Sequence, residues 1–346
     1  MTRRILARTM LAAVAAATSI GIGGIPAASG EQVTVPAAQS PDGSRITGVE
    51  VVDGRNLRLT VYSAAMDRSF PVDVLRPADT SAPRPTLYLL NGVGGGVDDA
   101  SWQLRTDALD FLSDKNINVV QIIGGPYAWY TDWIRPDPVL GNNKWATYLG
   151  HELPPLIDAA LGTNGVNAIA GISMAGVPVL NSVIFNPGLF RSAAVYSGLT
   201  QTTTDFGRRG IKMTTEMSGH GNIENMWGPD DSPLWAANDP TLNAEKLRGT
   251  HLFISTGNGI PGLYDLTGGG GRVQLTTTEI AQTVTIGAFI EANMDLSTKA
   301  LQQRLNELNI PATFVYRSTG THIWAYWQDD LKSSWPVLAE GLYSAP

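Results

Sequence analysis

Cysteine is absent from the 346 residues, which excludes a disulfide scaffold and thiolate metal sites. Charge is also scarce: 16% of residues are charged against 43% hydrophobic, a balance that excludes a disordered chain. Basic residues number 24 and acidic ones 31, so nucleic acid is not an expected partner. There are only four histidines. None stands in an H-x-x-x-H or H-x-H spacing, so a metal-dependent hydrolase has little support, and neither metal nor cofactor is expected. The alanine-rich stretch from Met10 to Ile25 is broken by Thr18, Ser19 and three glycines, too short and too weakly apolar for a membrane span. Arg3, Arg4 and Arg8 precede it and Ala28-Ser29-Gly30 follows, so residues 1–30 read as a secretory signal peptide. Its removal takes away three positive charges and moves the formal charge from −7 to −10. A secreted chain of this size can fold without staples because its core is large.

The remaining chain, residues 31–346, shows no internal repeat and no dividing linker, and is expected to form one domain. Ile46 to Val52 and Leu57 to Ala64 read as strands joined at Asp53-Gly54, a hairpin signal. Phe70 to Leu75 alternates, and Thr86 to Leu90 is a continuous apolar run of the kind buried on both faces. It ends in Asn91-Gly92-Val93-Gly94-Gly95-Gly96, where glycine density suits a backbone that must offer an N–H to a ligand, or a plain surface loop. A helix is expected from Trp102 to Lys115, a strand from Asn118 to Ile123, then an aromatic loop from Tyr127 to Trp133 that either packs or lines a cleft. Trp145 to Ala160 reads as a helix interrupted by Pro154 and Pro155. Ala193 to Tyr196, Leu252 to Ser255 and Thr313 to Arg317 supply further strands. This alternation implies a mostly parallel sheet with helices on both faces. The irregular stretch from Thr200 to Leu247 is a lid or a small helical insert over the site, and Gly257 to Gly271 is a second such stretch.

Chemistry concentrates in Asn167-Ala-Ile-Ala-Gly171-Ile-Ser173-Met174-Ala175-Gly176. A strand, a small-residue turn carrying one serine and a following apolar helix form a nucleophile elbow, here G-x-S-x-A, although an ordinary turn opening a helix reads alike. Serine needs a base to take its proton and an acid to hold that base. Of the histidines, His151 opens a helix, His220 lies in the irregular insert and His251 starts a strand. His322 follows the last expected strand, in the loop Ser318-Thr-Gly-Thr-His322, and the chain order suits a hydrolase. The acid must lie between Ser173 and His322, and by order alone Asp265, Glu279, Glu291 and Asp295 all qualify.

The sequence resembles the antigen 85 mycolyltransferases, secreted α/β-hydrolases of mycolic-acid bacteria, over nearly the whole mature chain. The blocks that carry the resemblance include Leu87-Tyr-Leu-Leu-Asn-Gly-Val93, Tyr130-Thr-Asp-Trp133, Lys144-Trp145, Glu152-Leu-Pro154 and Gly171-Ile-Ser-Met-Ala-Gly176. Asn225-Met-Trp-Gly-Pro229, Asn238-Asp-Pro240, Gly257-Asn-Gly259, Gly320-Thr-His-Ile-Trp324 and Tyr326-Trp327 continue it in the same order. The fold implied is an α/β-hydrolase with a mostly parallel central sheet, helices on both faces and an irregular helical insert. The family's Phe-Leu-Glu segment falls on Phe289-Ile290-Glu291, 31 residues before His322, which makes Glu291 the acid. The oxyanion hole falls on the backbone N–H groups of Val93 and Met174. Asn91 stands where relatives usually carry an acidic residue, and Gly94 to Gly96 replace a more polar stretch, so the sugar subsite is expected to differ. The run from Gly268 diverges as well, which alters the expected acyl groove.

The activity implied is transfer of a mycoloyl group from trehalose monomycolate, through Ser173, to a second trehalose monomycolate or a cell-wall arabinan hydroxyl. Partners are then trehalose mycolates and cell-wall glycolipid or arabinogalactan acceptors, met by a secreted monomer associated peripherally with the cell envelope. Net negative charge favours neutral sugars over anionic acceptors. Among the nine tryptophans, Trp324 is nearest in sequence to the base and is expected, with Asn91, to meet the sugar. Two rivals use the same fold: a plain carboxylesterase, and a catalytically silent matrix-binding protein.

Overall fold

The computed structural model describes residues 38–344; the expected signal peptide, residues 1–30, lies outside them. Nine strands form one sheet in the order β1-β2-β3-β5-β4-β6-β7-β8-β9. These are β1 (Arg45–Asp53), β2 (Asn56–Ser63), β3 (Arg68–Leu75), β4 (Thr86–Leu90), β5 (Asn118–Ile122), β6 (Asn167–Ile172), β7 (Phe190–Tyr196), β8 (His251–Thr256) and β9 (Thr313–Tyr316). The first three strands are antiparallel, and β3 meets β5 antiparallel. From β5 through β4, β6, β7 and β8 to β9 every pairing is parallel. The hairpin expected at Asp53-Gly54 is there, with Asp53 paired to Asn56 and Gly54 at φ +40°.

Local sequence explains why the centre of the sheet carries the site. β4, β5 and β6 are buried along their whole length, the pattern of parallel strands covered on both faces. On one face Leu87, Leu89, Ala168, Ala170, Ile172, Ala194 and Tyr196 pack against the C-terminal helix Trp324–Tyr343 through Trp327, Leu331 and Leu338. Strand side chains alternate, so Gly171 points to the other face. There a Cβ on Gly171 would lie 2.7 Å from the Ala175 Cβ and 3.0 Å from Val179 of the helix Gly176–Phe185. Glycine at 171 and alanine at 175 are what let that helix close onto the strand.

Two expectations need correction and a third holds in part. The helix expected from Trp102 to Lys115 is two short ones, Trp102–Arg105 and Ala108–Leu112. Thr106 breaks it: its hydroxyl turns back onto the Trp102 carbonyl at 2.5 Å, while Gln328 captures the Asp107 amide at 2.8 Å. Pro154 and Pro155 do not interrupt the helix that follows Trp145. A wide turn, Tyr148–Glu152, precedes them, and they open the segment Leu153–Leu161, where a missing N–H costs least. The stretch from Thr200 to Leu247 is a helical insert, containing Asp205–Lys212, Glu224–Trp227 and Leu234–Ala237. Its Trp227 and Trp235 meet edge to face at 5.2 Å, it docks on the neighbouring loop through Asn225 with Asp137 and Trp227 with Thr131, and none of its residues lines the cavity described below.

Candidate active site

Ser173 follows the C-terminal end of β6 with φ +56°. A non-glycine residue held there costs roughly 1–3 kcal/mol, and the tight packing around the turn sustains it. A Cβ on Gly176 would sit 2.5 Å from the Leu199 carbonyl oxygen and 2.7 Å from the Gly198 Cα. Backbone cannot give way as a flexible side chain can, so Gly176→Ala is expected to lower stability by about 1–3 kcal/mol. Chemical denaturation checks this; a variant as stable as the parent would show that the turn has slack.

His322 comes to Ser173 from the loop between β9 and the C-terminal helix. Its Nε2 lies 2.7 Å from Ser173 Oγ and its Nδ1 lies 2.8 Å from Glu291 Oε2. The ring stands edge to face on Trp327 at 4.8 Å. Asp265 holds the loop: it accepts from the Gly262 amide at 2.7 Å, the Thr321 hydroxyl and amide, and the Tyr326 hydroxyl at 2.8 Å. Gly320 is tied to the neighbouring loop at both its N–H and its C=O, to Ile260 and Gly259.

Glu291, on the helix Ala288–Glu307, has no solvent exposure. Its Oε1 accepts from Ser197 Oγ at 2.6 Å, the Gly257 amide at 2.5 Å and Arg317 Nη2 at 2.9 Å. Burial pushes the carboxyl up, but the hydrogen bonds and charges of His322, Arg317 and Ser197 outweigh it and hold the group below its ordinary value of 4.5. A group of this kind can keep an imidazole in one tautomer and balance its positive charge.

The other acids allowed by chain order are engaged elsewhere. Glu279 caps its own short helix at Thr276, Asp295 pairs with Lys299 at 2.6 Å, and Asp265 braces the loop described above. The other histidines are also apart from Ser173: His151 is exposed in the wide turn, His220 is exposed in the insert, and His251 lies 3.1 Å from Glu340.

A cavity of about 260 Å³ opens over Ser173 and His322. Its wall is mostly apolar, with Val93, Leu275, Ile323 and Trp324 on it, and Asp98 and Arg105 are its acidic and basic members. The Val93 amide donates to no group among the described residues, while its carbonyl is pinned by the Tyr127 amide at 2.8 Å. Met174 holds the second position of a tight turn, Ser173–Ala175, where a backbone N–H has no partner within the helix.

Two site expectations part company. Trp324 lines the cavity, standing edge to face on Trp102 at 5.5 Å and on Trp327 at 5.3 Å. Asn91 does not reach it. That side chain is 0% exposed, donating to the Ile122 carbonyl at 3.0 Å and accepting from the Trp102 amide at 3.3 Å. With its amide spent on tying the end of β4 to β5 and to the helix that begins at Trp102, it faces the core and not the cavity. The aromatic loop from Tyr127 to Trp133 is likewise core: Trp129, Tyr130 and Trp133 are buried, and Tyr130 stacks edge-on to Trp145. Asp98 and Arg105 escaped sequence reasoning because no local pattern marks them: one follows the glycine loop, the other ends the helix Trp102–Arg105, and the fold brings both to the cavity. Among the described residues no cluster of His, Asp or Glu could hold a metal ion, and no helix is long and apolar enough to cross a membrane.

The chain matches the putative esterase family over residues 63–337. The diacylglycerol acyltransferase/mycolyltransferase Ag85B of Mycobacterium leprae (strain TN) is 30% identical over 295 residues, spanning 83% of this chain and 84% of that protein. Ag85A of Mycobacterium tuberculosis (strain ATCC 25618 / H37Rv), of the same description, is 30% identical over 295 residues, spanning 83% and 82%. Among solved structures, Mycobacterium tuberculosis MPT51 (FbpC1) superposes with a TM-score of 0.68 at 22% identity, covering 84% of this chain and all of that one. An S-formylglutathione hydrolase from Agrobacterium tumefaciens does so with a TM-score of 0.59 at 14% identity, covering 86% and 99%. The architecture is that of an α/β-hydrolase, with a sheet that is mostly parallel. The chain belongs to the esterase family and, within it, to the antigen 85 acyltransferases.

Proposed function

We propose that this protein is a secreted mycolyltransferase working through a seryl acyl-enzyme. The observation that carries the reading is the unbroken relay from Ser173 Oγ through His322 to the buried Glu291, at the floor of a mostly apolar cavity. His322 Nε2 takes the Ser173 proton as Oγ attacks the ester carbonyl of trehalose monomycolate. The tetrahedral oxyanion is held by the N–H groups of Val93 and Met174. Its collapse breaks the bond to the trehalose oxygen, which receives the proton from His322. A hydroxyl of a second trehalose monomycolate, or of cell-wall arabinan, then gives its proton to His322 and attacks the acyl-serine; collapse of this second tetrahedral intermediate breaks the acyl bond to Ser173 Oγ, which takes the proton back from His322. Both halves share one intermediate, so ping-pong kinetics follow. Losing one oxyanion donor typically costs about 2.7–4 kcal/mol in the barrier.

Hydrolysis is the same chemistry with water as acceptor. The test is a competition in which the enzyme receives trehalose monomycolate in water and the products are separated. Trehalose dimycolate as the main product supports transfer; free mycolate alone makes the enzyme a carboxylesterase.

Trp324 is the proposed sugar platform, because it is the tryptophan that is both on the cavity wall and only partly buried. Trp324→Ala is expected to raise the KM for the sugar acceptor roughly tenfold, the value of one good aromatic contact. Lower thermal stability with an unchanged KM would make Trp324 a packing residue for Trp102 and Trp327.

A further inference from the structure

Behind the His322–Glu291 pair lies a second buried acid that the acyl-transfer scheme leaves idle. Asp330, on the C-terminal helix, is 3% exposed. Two carboxylates in one dry pocket raise each other's proton affinity, and both stay ionised only with a cation between them. Arg317, immediately after β9, is placed as that cation. Its Nη1 donates to Asp330 Oδ2, and its Nη2 donates to Glu291 Oε1 at 2.9 Å and to Ser197 Oγ at 3.2 Å. The guanidinium lies over the Tyr326 ring, 5.1 Å from its centre. The oxygen it takes on Glu291 is the one turned away from His322; Oε2 is left for the imidazole at 2.8 Å.

We propose that Arg317 is a positioning residue for acyl transfer, keeping Glu291 and Asp330 ionised together and turning Glu291 Oε2 onto His322. The inference rests on the reading of Ser173, His322 and Glu291 given above. Burial pushes Asp330 up to about 6 even with Arg317 opposing the shift and Glu291 adding to it, in keeping with competition between the two acids. Without the guanidinium, one proton is shared between them. Whenever Glu291 holds it, the imidazolium loses its counter-charge. An arginine that only filled space would leave no such conflict behind. Damage from losing Arg317 is therefore expected to be undone by neutralising Asp330, because Glu291 then has no second carboxylate competing with it for the proton.

Arg317→Gln, Asp330→Asn and the double variant test this, with every protein first titrated by a serine-directed phosphonate. A parent enzyme not labelled at Ser173 would fault the underlying triad; labelled protein isolates the question of Arg317. Arg317→Gln is expected to lower kcat about 10²- to 10³-fold with KM within about threefold, and the double variant to regain at least tenfold. Unchanged kcat in Arg317→Gln, or a double variant no faster than Arg317→Gln, overturns the proposal. Should Arg317→Gln fail to fold, a folded double variant within about tenfold of the parent kcat supports it and an inactive one overturns it. Asp330→Asn alone gives an independent readout. The titratable and charged groups around the pocket are Glu291 from one helix, Tyr326 and Asp330 from another, Arg317 and His322 from the loop, and Asp265 and Tyr264 beyond Tyr326. Removing the negative charge of Asp330 leaves the imidazolium less stabilised, so the acidic limb of the kcat/KM profile moves to lower pH; a limb that stays in place overturns the proposal.

Discussion

Ser173→Ala is expected to lower acyl transfer by at least about 10⁴-fold, because it removes the hydroxyl that His322 Nε2 holds at 2.7 Å and is placed to deprotonate. Folding should survive. The hydroxyl meets the His322 side chain, and the substitution leaves the small Cβ in a turn already built around it, so stability should stay within about 1 kcal/mol of the parent. Turnover with trehalose monomycolate and denaturant unfolding, measured on the same preparation, check both halves. An alanine variant retaining a tenth of the parent rate would move the nucleophile elsewhere.

Glu291→Gln should have the next largest effect, and the hydrogen bonds say why. Glutamine's oxygen can still accept from the Gly257 amide and Ser197 on the Oε1 side, which turns its NH₂ toward His322 Nδ1. Nδ1 must then accept, so the proton sits on Nε2 and the imidazole can no longer take one from Ser173. Loss of the correct tautomer lowers kcat by about 10³–10⁴. Arg317 keeps Asp330 but loses a charged partner, so a stability cost of about 1–3 kcal/mol accompanies it. Glu279→Gln and Asp295→Asn, whose carboxylates serve their own helices, should stay within a few-fold of the parent rate. A nearly active Glu291→Gln beside an inactive control would reassign the acid. Asp265→Asn is no neutral control, since Asp265 braces Thr321 next to His322.

The strands were legible because their signal is local: unbroken apolar runs such as Leu87 to Leu90 have few alternatives to a buried parallel strand. The serine turn was legible for a steric reason, now visible as the 2.7 Å approach that a Cβ on Gly171 would make to Ala175. What stayed hidden depends on partners far along the chain. Thr106 ends a helix with help from Gln328, 221 residues after Asp107. Chain order left four acids open, and only resemblance favoured Glu291 before the 2.8 Å approach to His322 was seen. Asn91 misled because a residue beside a glycine loop can face the cavity or the core, and sequence does not say which. Arg317 gave no signal at all: a lone cation after a short strand reads as surface until both carboxylates are found beneath it.

The acyl-enzyme itself offers the most direct test of the central claim. Purified protein mixed with trehalose monomycolate, quenched in acid and examined by intact-mass and peptide mass spectrometry, should carry one mycoloyl group on the peptide containing Ser173. Adding acceptor sugar should discharge that adduct as the new ester appears. A mycoloyl group mapped to another residue, or new ester formed with no adduct at any quench time, would contradict the account.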